Sequence, residues 1–111
     1  MNTRANIPIS EQWHRAALDH VDAEAAAQML EETKSAVLSE RVADLIKDDP
    51  KLSVTKAETL VKASPEWRRW IEGMVRARKA ANRARVERDY LKMRFSEWVA
   101  EDANHRAGAR L

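Results

Sequence analysis

Cysteine is absent from this chain, so neither a disulfide nor a thiolate metal site can form. Proline is scarce, three residues in 111, and glycine scarcer at two. From Ser64-Pro65-Glu66 onward there is no further proline, and the only glycines are Gly73 and Gly108. Aromatic bulk is thin outside tryptophan, with one Phe and one Tyr, and alanine supplies much of the apolar count. That excludes a deep aromatic core and favours helices packed closely in a thin layer. No apolar run approaches the roughly 20 residues of a membrane span, and MNTRANIPISEQWHRAALDH lacks the apolar core of a signal peptide. The expectation is a cytoplasmic chain without membrane contact.

Catalytic signatures are missing in the same way. There is no glycine-rich phosphate loop, no G-x-S-x-G and no H-E-x-x-H, and His14, His20 and His105 have no histidine one turn away. The expectation is therefore not an enzyme, with no cofactor, no metal and no small-molecule substrate.

What is present is charge and helical pattern. Asp, Glu, Lys and Arg make up 34% of the chain, the profile of a helical or coiled-coil protein. Residues 1–9 have no helical period around Pro8 and read as an arm; residues 10–111 read as one helical domain. Ser10 can cap a helix over about 10–20, and Asp22 a second over about 23–47, or the two run together because no breaker separates them. Leu30, Val37, Leu38, Val42, Leu45 and Ile46 share one face of that helix. Pro50 ends it, since the residue before a proline is pushed out of the α region. A short helix, about 55–63, follows; Ser53 is one possible cap, and Thr55 with Glu58 fits a capping box better. Ser64 and Pro65 open the last helix, about 65–107.

A helix of that length runs ~65 Å at about 1.5 Å per residue, well beyond the roughly 13 Å radius of gyration of a compact domain this size. It needs another helix along it. Its seam takes in Trp67, Trp70, Met74, Ala77, Ala81, Ala84, Arg88, Leu91, Phe95 and Trp98, with large residues at the ends and alanines between. The helix over 23–47 is too short to cover this seam, so these ten residues are the expected interface of a homo-oligomer, a dimer being favoured, with Trp67 of one copy near Trp98 of the other. Arg88 interrupts the seam; it either takes an acidic partner from the facing helix or sends its charged end outward.

Charge is unevenly placed. Residues 1–65 carry 8 basic and 11 acidic side chains, residues 66–94 carry 10 and 4, and residues 95–111 carry 2 and 3, for net charges of −3, +6 and −1. At 100° per residue, Arg68, Arg69, Arg76, Lys79, Arg83 and Arg94 cluster on the side away from the alanine seam. This stripe is either solvated surface facing an acidic partner or a sequence-independent contact to nucleic-acid phosphates.

Ala63-Ser64-Pro65-Glu66-Trp67-Arg68-Arg69-Trp70-Ile71, followed by Tyr90-Leu91-Lys92-Met93-Arg94-Phe95-Ser96-Glu97-Trp98 and an alanine- and arginine-rich end at Leu111, resembles small all-helical proteins of bacteriophages and prophages. The resemblance covers about the last half of the chain. It implies a phage accessory role, as a partner of DNA-recombination proteins, and assigns no functional residue. The sequence as a whole predicts an all-α helical hairpin with a long C-terminal helix, coiled-coil-like and self-associating, acting as a non-enzymatic interaction or scaffold protein. Two alternatives stand beside it: a nucleic-acid accessory protein using the arginine stripe, and an inhibitor of a host enzyme.

Overall fold

The computed structural model describes residues 6–109. Most of the expected arm, residues 1–5, and the terminal Leu111 lie outside them. Three helices make up the fold: α1, Ile9–Asp48; α2, Val54–Lys62; and α3, Pro65–Ala109. They hold 40, 9 and 45 residues, and there is no strand among the described residues. The chain is all-α, a helical hairpin with a long C-terminal helix.

One helix start differs from expectation, and of the two readings open at Asp22 the continuous one is observed, each for a local reason. Helix α1 begins at Ile9, ahead of Ser10, because the Pro8 carbonyl already accepts from the Gln12 amide at 3.0 Å and the Gln12 side chain donates to the Ile7 carbonyl at 2.8 Å. Ser10 lies inside the helix and is not its cap. There is also no second helix start at Asp22: α1 is continuous to Asp48. One aspartate costs a helix interior less than about 0.7 kcal/mol, and Ala25-Ala26-Ala27 propagates the helix beyond it.

Helix α2 takes the other of its two possible caps. Ser53 Oγ accepts from the Lys56 amide at 3.1 Å, and Ser53 sits in extended backbone at φ −72° and ψ 155°. Thr55 therefore lies within the first turn, where its carbonyl accepts from the Thr59 hydroxyl, and Glu58 pairs forward with Lys62 at 2.7 Å. The expected start of α3 is observed, with Ser64 Oγ accepting from the Trp67 amide at 3.2 Å.

The chain divides into two compact units, one of Met1–Glu24 with Ala80–Leu111 and the other of Ala25–Lys79. In the second unit, Val42, Ala57, Val61 and Trp67 form a buried cluster, with Val37, Leu38, Leu45, Ile46, Leu52, Trp70 and Ile71 packed against it. All three helices contribute. In the first unit the start of α1 packs on the end of α3 in antiparallel fashion, Trp13 beside Phe95 with ring centroids 5.4 Å apart, and His20 beside Arg88. Ala16, Ala81 and Leu91 are buried in this unit.

Candidate interaction surfaces

The seam of α3 is turned inward within the single chain. Trp67, Ala81 and Leu91 are buried, and Trp70, Met74, Ala77, Ala84, Arg88 and Phe95 are half-buried. Trp98, 54% exposed, is the one seam residue on the surface. A covering helix limited to 23–47 would leave much of the seam to another copy. Helix α1, at 40 residues against 45 in α3, is long enough to pack on the seam within each unit of the chain.

Trp67 and Trp70 stack on each other in the second unit, centroids 5.3 Å apart and planes 7° from parallel. The guanidinium of Arg41 lies over the Trp67 ring at 5.8 Å, and its buried NH1 has no hydrogen-bond partner. Beside this stack a cleft of about 520 Å³ is lined by Arg41, Asp44, Leu45, Leu60, Val61, Ser64 and Glu66. On another level of the same unit, Arg78 grips Glu31 with two hydrogen bonds, Nε to Oε2 at 2.8 Å and NH2 to Oε1 at 2.7 Å. This fork holds the Glu31 carboxyl below its ordinary value of 4.5, chiefly through the hydrogen bonding, with desolvation pushing back and the guanidinium charge adding to the shift.

Of the two courses open to Arg88, an acid on the facing helix is not the one taken; such a pair is found at Arg78. Arg88 donates to its own neighbour Asp89, at 3.0 and 2.9 Å, and to His20 Nδ1 at 3.1 Å. Arg88 lines, with Ser10, Trp13, His14, Ala17, Asp89, Lys92 and Phe95, a groove of about 550 Å³. Phe95 continues to Trp98, centroids 6.1 Å apart, so the first unit carries a row of three aromatic rings.

The six basic residues of the stripe are all exposed, Arg68, Arg69, Arg76 and Lys79 in the second unit and Arg83 and Arg94 in the first. Arg69 meets Glu66 at 3.6 Å, a loose exposed pair. Between Arg83 and Arg94 lies a feature that the tryptophans overshadow in the sequence. Val86, Tyr90 and Met93 are 64%, 47% and 53% exposed. Their spacing of four and three puts them in one row on the outer side of α3. That spacing is present in the sequence, but it competes there with a seam of larger residues one face round. Among the described residues no cluster of His, Asp or Glu could hold a metal ion, and no helix is long and apolar enough to cross a membrane. Comparison with protein-family models, curated proteins and solved structures finds no match for this chain.

Proposed function

We propose that this chain is a non-catalytic interaction protein whose docking surface is the outer side of α3 in the first unit. The observation that supports this is the row Val86, Tyr90 and Met93, about half or more exposed and bracketed by Arg83 and Arg94. Scattered apolar residues on a surface need no explanation, but an aligned row rimmed by charge is the composition of an interface. The partner it fits is a helix with an apolar row of its own. A phage accessory role, implied by the resemblance of the C-terminal half, and the blocking of a host enzyme are both compatible settings for such a surface.

The test is capture of partners from cells by wild type and by a Tyr90→Glu, Met93→Glu variant, with identification by mass spectrometry. Because both residues are exposed, the variant keeps its fold, as circular dichroism checks. The proposal expects at least one protein, a further copy of the chain included, that wild type retains and the variant loses. Identical recoveries would overturn it.

A second reading has its own support. Tyr90 is an exposed aromatic between two arginines, the arrangement that stacks on the bases of a single strand. Binding of this kind would be electrostatic and indifferent to sequence. Neutralising Arg83 and Arg94 would lower the slope of log affinity against log salt by roughly 1.4, about 0.7 for each single-strand phosphate that is no longer neutralised. Absence of binding to single-stranded DNA at low salt removes this reading.

A further inference from the structure

Along one edge of the first unit, where the start of α1 meets the end of α3, the groove that Arg88 lines has an aromatic floor and a polar rim. Trp13 and Phe95 form the floor; Ser10 and His14 on α1 and Asp89 and Lys92 on α3 stand round it. At about 550 Å³ it falls within the roughly 300–1,000 Å³ of small-molecule pockets. A smaller pocket of about 240 Å³ shares Ser10 and Phe95 with it and is otherwise lined by Pro8, Ile9 and Trp98. The two therefore abut, and together they grade from an apolar end at Trp98 to a polar end at Lys92. Val86, Tyr90 and Met93 line neither, so this is a site apart from the outer row of α3.

The charges at this edge leave one cation over. The Arg88 guanidinium is occupied by Asp89, at 3.0 and 2.9 Å. Lys92 is exposed, and neither its ammonium nor the His14 ring makes a hydrogen bond or ion pair among the described residues. The other acids of this end are paired or turned away. Glu11 is held by Arg15 at 3.2 Å and Asp102 by Arg106 at 2.7 Å. Glu87 and Asp19 open on the opposite edge of the helix pair, and at 100° per residue Glu97 and Glu101 lie about 160° and 120° round α3 from Phe95.

We propose that this groove binds an amphiphilic carboxylate, its head on the Lys92 ammonium and the His14 N–H and its apolar body along Phe95 and Trp98. One free cation beside neutral donors matches a single negative charge. Lys92 reaches on a flexible stem and can follow the head along the rim, while a neutral imidazole still has one N–H to donate. The body covers the Trp98 indole, 54% exposed with its ring 6.1 Å from Phe95, and so takes apolar surface out of water at the end away from the charge.

Calorimetric titration of the full chain with decanoate, at low salt and below its micelle concentration, tests this. One decanoate per chain should bind with a Kd of roughly millimolar or tighter, and octanoate about tenfold more weakly, because each methylene taken from water contributes about a factor of three to four. Lys92→Glu should weaken decanoate at least about fivefold, and Lys92→Arg should keep most of the affinity. Trp98→Ala should weaken it by a similar factor. Both positions are exposed, so the variants should melt within a few degrees of wild type. Decyltrimethylammonium, with the same tail and the opposite charge, should bind far more weakly than decanoate. Equal binding of the two amphiphiles, or no saturable decanoate binding at tens of millimolar, would refute a carboxylate site. Decanoate affinity that Lys92→Glu leaves unchanged would refute this placement of the head.

Discussion

Trp67 shows how single residues hold this thin fold together. It is 6% exposed, lies under the Arg41 guanidinium and stacks on Trp70, and its amide is tied to Ser64 Oγ. With so few large side chains in the second unit's core, Trp67→Ala should cost about 3–5 kcal/mol, read as a lowered midpoint in urea unfolding. Glu31 makes a different kind of contribution. Its folded pKa is depressed, so its stabilisation is fully present above the unfolded value and is lost as pH falls below 4.5 through the lower folded value. Glu31→Gln should therefore be less stable than wild type at neutral pH, with the difference closing as pH falls through that window, followed by thermal melting at a series of pH values.

At the level of the elements, much was legible in the sequence and the exceptions are instructive. Helical class, the Pro50 stop and the Ser64-Pro65 start all follow from local chemistry, since a missing amide proton or a well-placed hydroxyl acts within a turn. The continuity of α1 through Asp22 was harder to read, because one weak helix former is outweighed by the alanines after it. The choice between Ser53 and Thr55 turned on backbone geometry that both sets of signals permit. Ser53→Ala should cost about 1 kcal/mol as the loss of a true cap, while Thr55→Ala, inside the first turn, should change stability by less than about 0.5 kcal/mol. Gly73 gives a gain instead. A Cβ there meets nothing within 4 Å, so Gly73→Ala should stabilise α3 by about 0.5–1 kcal/mol; chemical denaturation measures all three effects.

For the molecule as a whole, the candidate site was half legible. The seam and the arginine stripe were readable as periodicities; the stripe is exposed, and the seam is buried or half-buried except at Trp98. What periodicity could not tell was which helix covers the seam. An apolar stripe looks the same whether its cover comes from its own chain or from another, and only the length of α1 decides it. The exposed row on the opposite side, the smaller Val86, Tyr90 and Met93, had been outweighed in the sequence by the tryptophans.

Tyr90 and Leu91 are neighbours in sequence and sit on opposite sides of this division, 47% and 4% exposed. The most direct measurement is thermal melting of Tyr90→Glu and Leu91→Glu, taken at a concentration low enough that wild type is monomeric. Leu91→Glu puts a charge into the packed face and should lower the melting temperature by more than about 10 °C, from a loss of roughly 3 kcal/mol. Tyr90→Glu should melt within a few degrees of wild type, about 0.5 kcal/mol or less being typical of a surface change. If Leu91→Glu melts like wild type under these conditions, the seam is not the inside of the chain, and the account is wrong.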